Sequence, residues 1–209
     1  MKQRSILWQA VGFALVTFCG TILHFLYDRT GGSILAAPFS GVNESTWEHM
    51  KLLFWPLFFW AMVQYPFFRN HENYWCINLA EIILGLVLIP VLFYTYNGVL
   101  GKSPDWVNIS IFYITALLVF LFEWWAFKND RLQCKHPRLS FAIIFLIGVM
   151  FVAFTFAPPQ IPLFQDPLTG SYGIQMESLL NAARRIPISY GAREHDDSFL
   201  HSFLWNRNV

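Results

Sequence analysis

The segment Asn43-Glu44-Ser45-Thr46-Trp47-Glu48-His49-Met50-Lys51 crowds carboxylates, an imidazole and an ammonium against an uncharged apolar stretch, Leu52 to Phe68. Carboxylates beside an imidazole can act as general acid and base, or hold a divalent cation. Charge at a bilayer edge is costly, so such crowding points to a use. His24 and Asp28 end the preceding apolar stretch four residues apart, so on a helix both face one direction. If that direction is the bundle interior, His24, Asp28, Glu44, Glu48 and His49 form one polar pocket. Glu44, Glu48, His49 and Asp166 are its candidate catalytic groups, and His24, Asp28, Glu44 and His49 its candidate metal ligands. A zinc ion with nitrogen and oxygen ligands, or a harder ion with oxygen ligands, could be held there.

An ordinary explanation covers part of the motif. At 100° per residue, Glu44, Glu48, Lys51 and Trp55 share one stripe of a helix, with His49 turned away from it. Ser45 followed by Glu48 is a capping box, acidic groups suit the positive start of a helix, and Glu48 can pair with Lys51. That leaves Glu44 and His49, and the question why His24 and Asp28 stand on the same side. The chain has no HExxH or CxxC spacing, so no particular metal is specified. A lone histidine at a membrane interface is more commonly a hydrogen-bonded structural residue.

Two further carboxylates lie deeper, Glu81 within the third apolar stretch and Glu123 near the end of the fourth. An intramembrane carboxylate is a candidate for proton relay or cation passage. The plainer expectation is that Glu81 bonds to Asn78, Arg69 or a neighbouring helix and that Glu123 snorkels toward Lys128. Asp166 and Tyr172, in a proline-rich segment near the end of the apolar region, could complete a pocket, although a plain loop role is expected of them first. Asn43-Glu44-Ser45 and Asn108-Ile109-Ser110 match a glycosylation acceptor pattern, but both sit at helix starts near the bilayer, where chance is the better reading.

These residues need elements to hold them, and composition identifies the kind. The 209 residues are 56% hydrophobic and 13% charged, with 22 Phe, 9 Trp and 8 Tyr, more than a soluble core requires. Five stretches approach the ~20 residues that cross a bilayer as a helix: Ser5–Tyr27, Leu52–Phe68, Tyr74–Tyr96, Trp106–Phe127 and Leu139–Ala157. The second is short, so its helix is expected to begin within Glu44–Lys51. The expected fold is an all-α integral membrane bundle with the lipid bilayer as its surroundings. The first stretch outruns a signal-peptide core and lacks a small-x-small cleavage site before Asp28, so it reads as a retained span. A net charge of +1 without a basic, aromatic-rich face argues against nucleic acid as a partner.

Lys2 and Arg4, Arg69, and the group Lys128, Arg131, Lys135 and Arg138 fall on one side of a five-span topology. The excess of positive charge in cytoplasmic loops then places the N-terminus inside a cell membrane and the 43–51 motif at the outer leaflet. Cys19, Cys76 and Cys134 are widely separated and read as reduced packing residues. The prolines of 157–167 cannot continue a helix and should form an extended or re-entrant cover over the outer end. Residues 1–174 thus form the transmembrane domain and 175–209 a tail, with a short amphipathic helix over Gln175–Arg185 and irregular chain beyond. No internal repeat is visible, which argues against an inverted-repeat transporter.

His24-Phe25-Leu26-Tyr27-Asp28 with Gly31-Gly32, the Val42–Lys51 motif, and Phe164-Gln165-Asp166-Pro167-Leu168-Thr169-Gly170-Ser171-Tyr172-Gly173-Ile174 resemble an uncharacterised family of small prokaryotic multi-pass membrane proteins, a domain of unknown function. The resemblance runs to about Ile174 and implies membrane location without an activity. Three function classes stay open: a membrane-embedded hydrolase or transferase on a lipid-like substrate, a small oligomeric transporter or channel using Glu81, and a non-catalytic assembly partner. Polar groups from three separated segments converging at one leaflet favour the enzyme.

Overall fold

The structure is a computed structural model that describes residues 2–101, 104–129, 132 and 134–174. It consists of helices α1 (Lys2–Arg29), α2 (Thr46–Phe68), α3 (Tyr74–Leu100), α4 (Asp105–Asn129) and α5 (Pro137–Phe156), followed by a 3-10 turn at Pro162–Phe164. The boundaries follow local chemistry. Ser45 caps α2, its hydroxyl accepting from the Glu48 amide at 3.4 Å. Gly101 ends α3 with φ 80°, a conformation that suits a residue without a Cβ. Pro137 opens α5, where its missing N–H costs nothing. Among the described residues the β pairing is one isolated bridge, Gln165 with Tyr172.

Helices α1, α3, α4 and α5 are each long and apolar enough to cross a membrane. Helix α2 has the length, 23 residues or roughly 34 Å at 1.5 Å per residue, but buries more of its surface than the others do. It packs against α1, α3, α4 and α5, and Lys51, Leu53, Phe54 and Gln64 along it are inaccessible to solvent. Its buried face tolerates Trp, Gln and a charged pair that a lipid-facing surface would not, while its second half also exposes Phe59, Met62, Val63, Tyr65 and Phe67. Long lipid-facing rows run along the other helices, such as Leu7, Val11, Leu15, Phe18, Ile22 and Phe25 on α1, all exposed in the isolated chain.

Small residues set the helix spacing. A Cβ on Gly12 would collide with the Trp60 indole and Phe120, and one on Gly20 would lie 2.5 Å from the Phe112 ring and 3.0 Å from the Leu52 carbonyl. Close backbone approach of this kind is how helices associate without a hydrophobic drive between them. Beyond α5 the proline-rich segment covers the end of the bundle, as its sequence implies. Phe164 is buried there, with its ring 4.5 Å from that of Trp47.

One expectation is corrected. Cys76 and Cys134 form a disulfide across 58 residues, while Cys19 is free and exposed. Wide spacing concealed that the start of α3 and the α4–α5 connection lie at the same end of the bundle, where Asn73 Oδ1 also accepts from the Cys134 amide at 3.0 Å. The proposed tail, 175–209, with its amphipathic helix, lies outside the described residues.

Candidate functional site

The α1–α2 connection and the first turn of α2 bring together His24, Glu44 and His49. Glu44 lies between the imidazoles, its Oε1 3.7 Å from His24 Nε2 and its Oε2 3.6 Å from His49 Nε2. One ligand atom from each of the three lies within 4.8 Å of the others, and all three residues are partly buried. His49 Nδ1 lies 2.9 Å from the Ser45 carbonyl, which can only accept, so Nδ1 carries the hydrogen. In the neutral ring Nε2 is then left with its lone pair toward Glu44. The imidazole rings of His24 and His49 are 5.6 Å apart. Two histidine nitrogens and one carboxylate match the protein ligand set of a catalytic zinc site, which keeps a further position open. Tetrahedral ligands about 2.05 Å from zinc are roughly 3.3 Å apart, so small side-chain adjustments would close this triad on an ion.

This group lines a cavity of about 470 Å³. Its polar wall includes Thr21, Asn97, Asn108 and Tyr113, and its apolar wall includes Phe25, Leu52, Phe93, Ile109, Phe112 and Leu168. The Thr21 and Tyr113 hydroxyls are 3.1 Å apart. The size suits a small ligand or part of a lipid, and the mixture of a few polar groups on apolar walls is typical of binding sites. Asn108 stood out in the sequence only for its glycosylation pattern, and the α3 and α4 wall was not expected there as part of a pocket. Its available signal was Asn97 and Asn108, polar side chains near the facing ends of two apolar stretches.

The other candidates have different places. Glu48 is 2% exposed and its Oε2 lies 2.6 Å from Lys51 Nζ, also accepting from the Val42 amide at 3.0 Å. Only half of the capping box forms, because Glu48 turns to Val42 while the Ser45 amide donates to Asn43 Oδ1 at 2.9 Å. Asn43 Nδ2 in turn donates to the Gly173 carbonyl at 3.3 Å, tying the motif to the covering segment. Asp28 lies at the end of α1, exposed and outside the His24–Glu44–His49 group. Asp166 is buried, but its carboxylate serves its own turn, accepting from the Leu168 amide at 2.9 Å and the Thr169 hydroxyl at 2.7 Å. The segment reaches the cavity through Pro167 and Leu168 instead. Tyr172 packs on the hydrophobic core.

Glu81 and Glu123 are 3% and 0% exposed and near enough to interact electrostatically. The expectation that Glu123 snorkels to Lys128 is corrected: Lys128 sits over the Trp124 ring at 4.8 Å, while the Glu123 carboxyl is turned into the bundle beside Gln9 and Gln64. The plainer partners expected for Glu81 are engaged elsewhere or remote from the interior: Asn78 Nδ2 donates to the Tyr74 carbonyl at 3.0 Å, and Arg69 is exposed.

Among the described residues, five helices of membrane-crossing length, four of them apolar enough overall to cross a membrane, with a pocket at one end, define a multi-pass helical membrane protein. The chain belongs to a family of unknown function, DUF6512, which matches residues 1–174. No curated protein and no solved structure matches it.

Proposed function

We propose that this protein is a membrane-embedded enzyme, a hydrolase or transferase, acting on an amphipathic, lipid-like substrate in the cavity beside His24, Glu44 and His49. The observation that carries the reading is the convergence of these three side chains from α1, the connection and α2 on the wall of that cavity. A divalent ion on the triad would polarise a substrate oxygen or activate water. Phe25, Phe93, Ile109 and Phe112 suit an acyl chain, while Thr21 and Tyr113 offer hydroxyls to a polar head.

Glu44→Gln and His49→Ala test this directly. Purified wild type is expected to take up about one zinc per chain, and both variants to lose it while remaining folded and membrane-inserted. Wild-type protein that takes up no zinc, or variants that retain it, would reject the metal site. Loss of folding in both variants would support a purely structural role for the cluster.

We further propose that the N-terminus lies on the cytoplasmic side of a cell membrane, a reading supported by the positive charge of Arg69, Lys128, Lys135 and Arg138 at that end of the bundle. The Cys76–Cys134 disulfide at that same end favours the reverse, because disulfides persist in oxidising compartments. In a Cys19→Ala background, Thr30→Cys should react with a membrane-impermeant maleimide in intact cells and Asn70→Cys should not. The opposite labelling pattern would reverse the orientation.

A further inference from the structure

We propose that Glu81 and Glu123, with the side-chain amides of Gln9 and Gln64, form a second site, buried among α1, α2, α3 and α4, that takes one hard divalent cation such as Mn²⁺, Mg²⁺ or Ca²⁺. It lies in the half of the bundle away from the histidines. Glu81 is roughly 10 Å along α3 from its start and Glu123 roughly 9 Å from the end of α4, at 1.5 Å per residue.

The site is marked by polar atoms without partners in a place water does not reach. Gln9 is 7% exposed with both amide atoms unpartnered, and Gln64 is inaccessible with its Nε2 unpartnered. Neither Glu123 oxygen has a hydrogen bond, nor does Oε1 of Glu81. The Gln9 and Gln64 amides stand beside the Glu123 carboxyl without closing bonds of good geometry. Buried polar groups are otherwise almost always satisfied, and each exception calls for an account. The same bundle shows a settled buried charge at Lys51, whose ammonium has an acceptor for every proton: Glu48, the Ala37 carbonyl at 2.8 Å and Thr155 Oγ1 at 3.0 Å.

Charge and ligand type define the occupant. The ion pairs among the described residues join His24 and His49 to Glu44, and Lys51 to Glu48, so no basic side chain among them compensates Glu81 or Glu123. Two carboxylates are neutralised by one divalent ion. The available donors are carboxylate and amide oxygens, with no imidazole or thiolate in the group, which suits a hard cation rather than zinc. Gln9 is free to turn its oxygen inward because neither amide atom is committed. Gln64 turns its Oε1 to the Tyr74 hydroxyl at 3.2 Å, whose single proton can go to it or to the Ala61 carbonyl at 2.6 Å, so Gln64 borders the site through its amide nitrogen and Gln9 is the amide that can supply an oxygen.

The test uses full-length protein carrying Glu44→Gln and His49→Ala, which removes the triad's ligands, after stripping with a chelator. Added Mn²⁺ is expected to raise Tm and to give the electron paramagnetic resonance signal of a bound ion. Glu123→Gln, nearly isosteric, should abolish both effects, and Gln9→Leu should weaken binding roughly tenfold or more. A parent protein whose Tm ignores Mn²⁺, Mg²⁺ and Ca²⁺ would overturn the proposal and assign protons to the carboxyl pair. Binding that persists in the Glu81→Gln/Glu123→Gln double variant would overturn it too. Because the parent already lacks two triad ligands, a negative result here leaves zinc uptake by the wild type as a separate question.

Discussion

Lys51→Met is expected to destabilise the protein by about 3–5 kcal/mol, the cost of leaving a buried carboxylate without its counter-charge. Lys51 is inaccessible to solvent and sits 2.6 Å from Glu48. Its remaining protons go to the Ala37 carbonyl and the Thr155 hydroxyl, so one ammonium joins the α1–α2 connection, α2 and α5. Thr155 itself donates to the Phe151 carbonyl at 2.8 Å, leaving its oxygen lone pairs for Lys51. Glu48→Leu combined with Lys51→Met should recover much of the loss, since replacing both partners removes both buried charges. Thermal unfolding in detergent would measure this. A single variant as stable as the wild type would mean that the pair does not hold the connection.

Trp47→Ala is expected to cost about 3–5 kcal/mol, as large-to-small changes at buried aromatic positions do. Trp47 is 8% exposed, and its ring lies 4.5 Å from those of Phe151 and Phe164 and 5.5 Å from that of Phe154. It is the aromatic centre of the contact between the covering segment and the bundle, beside the direct Phe154–Phe164 contact at 5.5 Å. Its indole nitrogen has no hydrogen-bond partner, so Trp47→Phe should cost far less, below about 1.5 kcal/mol. Equal losses for the two substitutions would show that the indole nitrogen, rather than ring packing, matters. With the alanine, the Pro167–Leu168 wall of the cavity should also loosen, seen as faster proteolysis of that segment before global unfolding.

The helices were legible because lipid demands long apolar runs, and a capping serine before an apolar stretch marked where α2 begins. The Glu48–Lys51 pair was legible from its i,i+3 spacing, and Glu44 and His49 stood out because capping did not use them. Other features depend on which way a helix turns in the bundle. Spacing placed His24 and Asp28 on one side, yet Asp28 lies one turn further along, at the exposed end of α1, while His24 reaches Glu44. Asp166 attracted notice as a carboxylate near a pocket, but the turn it caps consumes both its oxygens. Gln9 and Gln64 drew no notice, because a lone amide in an apolar stretch acquires meaning only when the Glu123 carboxyl is found beside it. The disulfide was hidden for a similar reason, since its cysteines meet only through the antiparallel pairing of α3 and α4.

That crosslink closes α3 and α4 into a covalent ring running from Cys76 to Cys134. Glu81 and Glu123 stand inside the ring, near its sealed end, and the Phe93, Asn97 and Asn108 wall of the cavity lies toward its far end. A single break in the backbone anywhere within the ring would leave the chain one covalent molecule. The two helices that share the buried carboxyls are thus cross-linked at the end nearest those carboxyls, while the end that borders the cavity has the chain itself as its covalent link.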